Sequence, residues 1–307
     1  MDSDYLIFAP NKDLALATSV ANETNIQLGH MDVKKINESE TLIDIKSHVQ
    51  QKDILLIYNV VSPVNDSLMQ IYLISDSLTK LGARSVHLIV PYLPYTRIPD
   101  EYVNKINFNL IVRLFQTSGI SSIYTFDIFT PHLVNAFKIP VYNINIKKIF
   151  SGIIEEKFKD NNNLLVTTAD YELKDRANDI SKVIGCDQIY VNKIDDSNDS
   201  RFEINKDVHG KDILIVGNRI ASGEIIIKFA NFLALKGAKN IYLIATHGLF
   251  SEDAIEKLNN SIIKEIYVFS SPKNKLSQKI KVIPYTPIYK EIINRIVEKK
   301  NIISFIN

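Results

Sequence analysis

The stretch at residues 211–225, KDILIVGNRIASGEI, has the residue order of a ligand-binding loop in a parallel α/β sheet. The aliphatic run 213–216 predicts a strand, Gly217-Asn218 predicts the start of a loop, and Ser222-Gly223-Glu224 opens an apolar series with helical spacing. In such sheets ligands bind outside the carboxyl ends of the strands, where a helix N-terminus offers free N–H groups and a partial positive charge. The position therefore suits a phosphate. The carboxylate of Glu224 at the helix start opposes this use, because it would repel a phosphate.

A second stretch of the chain repeats this pattern. Residues 52–57, KDILLI, match residues 211–216, KDILIV, and each segment continues through a helical pattern to a Gly-Ala pair and another aliphatic strand. The Gly-Ala pairs are Gly82-Ala83 and Gly237-Ala238. A glycine after a helix typically ends it and starts a turn. The repeat predicts two similar domains, each a mostly parallel sheet flanked by helices with right-handed crossovers.

We place the domain boundary after Pro140, giving an N-terminal domain at 1–145 and a C-terminal domain at 146–307. From Pro287 onward the apolar residues have helical spacing. Its basic residues fall in the last turns, where the helix dipole favours them. We expect this terminal helix to pack against the protein, with the first domain as a candidate surface.

The composition limits the classes of partner. The chain of 307 residues carries a net charge of +1, which removes the usual electrostatic argument for nucleic acid. The single cysteine, Cys186, suits a reducing compartment and excludes an internal disulfide. Since no window approaches the ~20 apolar residues of a membrane span, and the N-terminus does not resemble a signal peptide, we expect a cytoplasmic protein without membrane or nucleic-acid partners.

Four segments together resemble the ribose-phosphate diphosphokinases, also called phosphoribosyl pyrophosphate synthetases. They are SPVNDSLMQIYLISDSL (62–78), PYLPYTR (91–97), KIPVYNI (138–144) and ATHGLFS (245–251). The resemblance covers nearly the whole chain and implies an α/β protein with two phosphoribosyltransferase-type domains. It also implies transfer of the pyrophosphoryl group of ATP to ribose 5-phosphate with Mg²⁺, in nucleotide biosynthesis.

The resemblance also indicates where this chain departs from the family. The family binds the sugar phosphate with two adjacent acids, a third acid and Thr-Gly-Gly-Thr, and these fall on Val216, Gly217, Ile220 and residues 221–224. Only Gly223 matches. We therefore expect a degraded ribose-5-phosphate loop.

The implied metal and catalytic residues are partly retained. Phe129 stands where the family has a Mg²⁺-binding histidine, while Asp170 matches a second Mg²⁺ acid. Lys193 matches a catalytic lysine, but Asp195 takes the place of the catalytic arginine. A carboxylate there opposes the negative charge that the loop should stabilise.

The implied nucleotide site is less altered. Glu38 and Glu40 keep the spacing of the acids in the adenine-binding loop, and Arg97 stands where the family has an arginine that contacts ATP phosphates. The resemblance therefore favours weak ATP binding over efficient catalysis.

Three hypotheses follow from these residues. The first is a family member of little or no activity that regulates or scaffolds an active partner. The second is a functioning ribose-phosphate diphosphokinase with an atypical site, and the third is a nucleotide sensor. We also expect a homo-oligomer, or association with an active family member, because the well-matched segments 62–78 and 245–251 lie outside the catalytic loop. Closed symmetric assemblies reuse one surface patch many times, and we expect the first domain to supply much of the contact.

Overall fold

A computed structural model describes residues 4–37, 39–97, 108–194, 201–251, 253–271 and 276–306, with the backbone alone for 192–194, 201 and 270. The chain divides into two compact units, which we call the first unit (Met1–Asn145 with Tyr285–Asn307) and the second unit (Ile146–Pro284). Each unit has its own parallel sheet. The α/β class and the mostly parallel sheets predicted from the sequence are thus confirmed.

The first unit is built on a sheet of five parallel strands. The strands are β1 (Tyr5–Phe8), β4 (Asp53–Ile57), β5 (Ser85–Ile89), β6 (Ser122–Phe126) and β7 (Val141–Ile144), and they lie side by side in this order. An antiparallel hairpin of β2 (Met31–Ile36) and β3 (Glu40–Ile45) forms a separate two-stranded sheet. Every residue of β4 is buried, as expected for a central strand that is covered on both faces.

Helices cover this sheet with their apolar faces. They are α1 (Leu14–Thr24), α2 (Val64–Lys80), α3 (Phe108–Thr117) and, from the end of the chain, α8 (Thr286–Val297) and α9 (Ile303–Ile306). The buried residues of α2 include Leu68, Ile71, Ile74 and Leu78, and their spacing of three and four residues is that of an amphipathic helix. Helix α8 packs within this unit through Tyr289, whose ring stacks on Phe126 at 5.9 Å between centroids.

The second unit contains a parallel sheet of six strands. The strands are β8 (Leu164–Thr167), β9 (Asp187–Gln188), β12 (Asp212–Ile220), β13 (Asn240–Gly248), β14 (Glu265–Ser270) and β15 (Ile280–Val282). Their order across the sheet is β15-β14-β13-β12-β8-β9, so the chain runs from β8 outward to β9 and later returns to β12 on the other side of β8. The neighbouring strands β8 and β12 therefore flank the point where the strand order reverses, and ligands bind at such a point in open α/β sheets.

The remaining elements of the second unit include a hairpin and helices. The hairpin pairs β10 (Val191–Ile194) with β11 (Arg201–Ile204), and the helices are α4 (Ile146–Lys157), α5 (Lys174–Ile184), α6 (Glu224–Leu235) and α7 (Ala254–Asn259). Among the described residues of the whole chain, no helix is both long and apolar enough to cross a membrane.

The sequence repeat corresponds to one structural motif in each unit. In both, a buried strand leads through a helix to a glycine and then to the neighbouring parallel strand. Gly82 and Gly237 have positive φ values of 88° and 90°, a conformation that favours glycine. The first residue of each leading strand, Asp53 or Asp212, lies in register with the first residue of the next strand.

A series of polar side chains connects neighbouring strands of the first unit. Arg84 donates to both carboxylate oxygens of Asp53, with Nε–Oδ1 of 3.0 Å and Nη2–Oδ2 of 2.6 Å, and Ser85 Oγ donates to Oδ1 at 2.6 Å. His87 lies between Ser85 Oγ, 2.9 Å from Nε2, and Ser122 Oγ, 2.7 Å from Nδ1. Burial lowers the pKa of the His87 imidazole, although the charge of Asp53 opposes this effect. His87 is therefore held neutral between two hydroxyl groups.

The first unit should become less stable in mild acid because of His87. As the pH falls below 6.5, the ordinary pKa of histidine, the unfolded chain binds a proton at His87 before the folded chain does, so the free energy of unfolding falls. His87→Gln should remove the part of this acid-induced loss of stability that comes from His87. Urea unfolding midpoints at pH 8 and pH 5 measure it, with His30→Gln, an exposed position in the same unit, as the matched control. Equal acid sensitivity in all three proteins would contradict the assignment.

Candidate functional site

The crevice at the carboxyl ends of β8 and β12 is the expected ligand position of the second unit. Asp170 follows β8, and residues 221–223 connect β12 to α6. Since β8 and β12 are parallel, with Ile215 beside Thr167, both connections leave the same edge of the sheet. This edge contains the loop whose sequence predicts a phosphate position.

Strand β12 is longer than the sequence indicates. The predicted loop start, Gly217-Asn218, lies inside the strand, and pairing with β13 continues to Ile220 beside Gly248. Our placement of the strand end was therefore wrong by four residues. The reason is the pairing with β13, which places Gly217 beside Ala245 and so continues the extended backbone beyond Val216.

The backbone beyond the strand is also bonded within the protein. The carbonyl oxygen of Ile220 accepts hydrogen bonds from the N–H groups of Leu249 and Phe250 at 2.9 and 3.1 Å. The carbonyl oxygen of Ala221 accepts one from Ser251 N at 3.0 Å. Residues 220–221 and 249–251 thus hold each other in place.

The positions where the resemblance implies acids are buried. Val216 and Ile220 are fully buried, and Ile220 belongs to the apolar core with Phe250 and Leu258. Gly217 is buried as well. An unpaired carboxylate would incur a large desolvation penalty in such surroundings, so these positions suit apolar residues or glycine.

The N-terminus of α6 begins at Gly223, which has a φ of 75°. A Cβ added to this glycine would lie 3.2 Å from Cγ and Cδ2 of Leu258. Glu224, in the first turn, accepts a hydrogen bond from Lys257 Nζ at 2.8 Å, and Lys257 also pairs with Asp253 at 2.7 Å. The hydrogen bonds to Asp253 and Glu224 raise the pKa of Lys257.

These contacts refine the sequence interpretation of Glu224. Its carboxylate does lie at the helix start, but Lys257 pairs with it. Two carboxylates and one ammonium group leave this cluster negatively charged, so it still disfavours an anion at this helix end. Sequence reasoning missed Lys257, because a partner 33 residues away leaves no periodic signal.

Asp170 binds the local backbone. Its Oδ1 accepts a hydrogen bond from Glu172 N at 3.1 Å, which caps the 3-10 helix Tyr171–Leu173. Its own N–H donates to Thr168 Oγ1 at 3.2 Å. Within the ranges that the structure describes, no group of three or more His, Cys, Asp or Glu residues is arranged to hold a metal ion.

Lys193, the predicted catalytic residue, lies in β10 of the hairpin, paired in register with Phe202 of β11. The hairpin backbone places it in a strand, and its side chain lies outside the described part. Asp195 also lies outside the described residues.

In the first unit, Arg97 and Phe129 are in contact. The guanidinium carbon of Arg97 lies 4.4 Å from the centre of the Phe129 ring. A cation is attracted to the ring face in such stacking. Thus the phenylalanine found in place of the expected histidine contacts the predicted phosphate-binding arginine, and no local pattern could have indicated this pair.

The predicted adenine-binding residues belong to the β2–β3 hairpin. Glu40 is exposed and begins β3, and its Oε2 accepts a hydrogen bond from Asn37 Nδ2 at 3.3 Å. Glu38 lies outside the described residues. Asn37 has a positive φ of 47°, as is common for asparagine in a tight turn.

The fold and the crevice define a class of protein, one with two parallel α/β units and a ligand position at the strand reversal of the second. Comparison with known proteins identifies the family to which the chain belongs. The family model for the N-terminal domain of ribose phosphate pyrophosphokinase matches residues 5–119, and the model for the phosphoribosyl synthetase-associated domain matches residues 158–306. The chain belongs to the ribose-phosphate pyrophosphokinase family.

Individual relatives match over nearly their full length. A ribose-phosphate pyrophosphokinase of Campylobacter jejuni is 29% identical over 97% of both chains, and one of Fusobacterium nucleatum is 26% identical over 98% of both. The crystal structure of phosphoribosylpyrophosphate synthetase from Mycobacterium smegmatis has a TM-score of 0.88 at 23% identity, covering 97% of this chain and 100% of that one. At this identity the structural match shows a shared fold.

Gly223→Ala should destabilise the second unit more than an equivalent change elsewhere. It places a Cβ against Leu258 in a backbone conformation that costs alanine about 1–2 kcal/mol, and overpacking adds about 1–3 kcal/mol. Gly210→Ala is the matched control, since Gly210 has a φ of 69° but open space around it. Urea unfolding of both variants measures the difference, and equal losses would rule out tight packing at this helix start.

Proposed function

We propose that this protein is a ribose-phosphate pyrophosphokinase family member with low or no activity in the family reaction. That reaction converts ATP and ribose 5-phosphate to phosphoribosyl pyrophosphate and AMP. We propose that the chain keeps two phosphoribosyltransferase-like domains, at 1–145 and 146–307, and acts in the cytoplasm. The terminal segment of the second domain, Tyr285–Asn307, belongs to the first compact unit.

The pairing of β12 with β13 through Ile220 and Gly248 is the observation that carries this proposal. Catalysis of pyrophosphoryl transfer depends on positioning the sugar hydroxyl and on stabilising charge. Where the resemblance implies acids for the ribose hydroxyls, this chain has Val216, Gly217 and Ile220, all buried. The segment supplies strand and core in place of a sugar clamp.

The chemistry of the metal donors also supports low activity. Mg²⁺ prefers oxygen ligands, and the ring of Phe129 offers neither an oxygen nor the nitrogen of the implied histidine. Asp170 has an oxygen occupied by a backbone N–H, and alone it provides one carboxylate. The described residues therefore do not fit the Mg²⁺ that the family reaction implies.

A second candidate function is a nucleotide-binding regulatory or scaffold subunit, and one observation favours it. Arg97 is exposed and stacked on Phe129, and this stacking orients its guanidinium group. Guanidinium groups bind phosphate in bidentate fashion. With Glu40 and Glu38 in the adenine loop by resemblance, the first unit supplies residues for ATP. Its regulatory partner would be a second copy or an active family member.

AMP release should be very slow. With ATP, ribose 5-phosphate and Mg²⁺, we expect a rate at least about a hundredfold below the order of 10 s⁻¹ typical of enzymes, because the sugar is not held. A coupled assay of AMP release measures it, and calorimetry should give a dissociation constant for ribose 5-phosphate above ~1 mM.

The Campylobacter jejuni relative, assayed in parallel, tests that the conditions are adequate. Turnover of a few per second by this chain, or micromolar binding of ribose 5-phosphate, would refute the low-activity proposal. It would support the second hypothesis from the sequence, a functioning enzyme with an atypical site.

Nucleotide binding tests the regulatory alternative. Arg97→Met should weaken ATP binding about 10- to 100-fold, since a hydrogen bond to a charged group contributes roughly 1.5–3 kcal/mol. Arg113→Met, an exposed arginine of α3 in the same unit, is the control. Calorimetry in the presence and absence of EDTA measures both. ATP binding unchanged by Arg97→Met, or no binding by the wild type, would remove this alternative.

A further inference from the structure

A polar pocket lies at the amino ends of β13 and β14, at the opposite edge of the sheet from the crevice of β8 and β12. Its volume is about 410 Å³, within the roughly 300–1,000 Å³ that is typical of small-molecule sites. Tyr242 and Glu265 lie side by side in the pairing of β13 with β14, and both line the pocket together with the end of α4. None of the residues that the family reaction implies lines this pocket.

Aromatic rings hold one wall of the pocket in place. The Phe158 ring meets the Tyr242 ring edge to face, with 5.4 Å between centroids and 73° between planes. It meets the Tyr267 ring in the same way, at 6.3 Å and 88°. Such edge-to-face pairs are favourable. Because Phe158 is buried and Tyr242 is only half-buried, the Tyr242 ring is fixed in position while part of it remains accessible.

Three hydrogen-bond donors at the pocket are poorly satisfied by the described residues. The Lys157 Nζ lies 3.7 Å from Oε2 of Glu265, which is beyond hydrogen-bond distance. The Lys264 Nζ donates to Asn240 Oδ1 over a long distance of 3.4 Å. Within the described part of the chain, the Tyr242 hydroxyl has no hydrogen-bond partner. A ligand in this pocket would therefore meet two ammonium groups and one hydroxyl that can donate to it.

The main acceptor of the pocket, in contrast, is satisfied within the protein. One oxygen of the Glu265 carboxylate accepts from the Lys281 ammonium group and the other from the Tyr267 hydroxyl. Burial would raise the pKa of Glu265, but these hydrogen bonds lower it, so the carboxylate is ionised. With Glu156, the pocket has two carboxylates beside three ammonium groups, and its net charge is therefore positive by one.

We propose that this pocket binds a small carboxylate that carries a planar ring. The carboxylate accepts hydrogen bonds from Lys157, Lys264 and the Tyr242 hydroxyl, and such bonds are strong when the partners are charged. The planar ring lies against the accessible part of the Tyr242 ring. A single negative charge matches the pocket better than a double one, because α4 ends at Lys157 and a helix C-terminus carries a partial negative charge.

Benzoate is the probe that tests this site, and a ligand-observed NMR titration of the full chain measures its binding. We expect saturable binding with a dissociation constant of about 1 mM, because the donors are partly hydrated. Lys157→Met should weaken binding about tenfold, since it removes a hydrogen bond between charged groups. Tyr242→Phe should also weaken binding, because it removes the hydroxyl and keeps the ring that packs on Phe158.

Lys182→Met is the matched control, because Lys182 lies in the last turn of α5 as Lys157 does in α4, and it should leave benzoate binding unchanged. Inorganic phosphate, added at constant ionic strength, should displace little benzoate. Three results would overturn the proposal: no saturable binding, equal weakening in Lys182→Met, or unchanged binding in both Lys157→Met and Tyr242→Phe. Displacement by phosphate at concentrations below those of benzoate would show a general anion pocket and overturn the assignment of a ring-bearing carboxylate.

Discussion

The hydrogen-bonded pairing of β12 with β13 is the constraint on which the second unit depends. A parallel pair needs both strands to present a regular backbone with side chains alternating between faces. Once the pairing extends from Asp212 to Ile220, the residues between them must fit a covered sheet. The same backbone cannot curve around a ligand. Residues 217–220 thus belong to the sheet, and their side chains alternate between its two covered faces.

Both units order neighbouring strands in a similar way, but with different chemistry. Asp53 receives charge-assisted hydrogen bonds from Arg84, whereas Asp212 accepts from the amides of Asn161 and Asn240 at 2.9 and 2.7 Å. Burial alone would raise the pKa of Asp53, but hydrogen bonds from Arg84 and Ser85 lower it. Each carboxylate connects the start of one strand to the neighbouring strand, so the two units share this type of contact.

Local sequence predicted the elements better than their ends. The pattern of strand, helix, glycine and strand identified both crossovers, because aliphatic runs and left-handed glycines have strong local preferences. It failed at Gly217-Asn218, since these residues favour turns by themselves and only pairing with β13 holds them extended. The contacts of Glu224 with Lys257 and of Arg97 with Phe129 join residues far apart in the chain, and no periodicity encodes such pairs.

The altered residues at the strand end depend on one another. Ile220 and Leu258 belong to the same apolar core, and Leu258 lies against Gly223, where α6 begins. Lys257, next to Leu258, pairs with Glu224. A single acid introduced at position 220 would enter an apolar core and lose its hydration. Accommodating a carboxylate there would require α7 to repack, so Ile220, Gly223 and Leu258 form one structural unit.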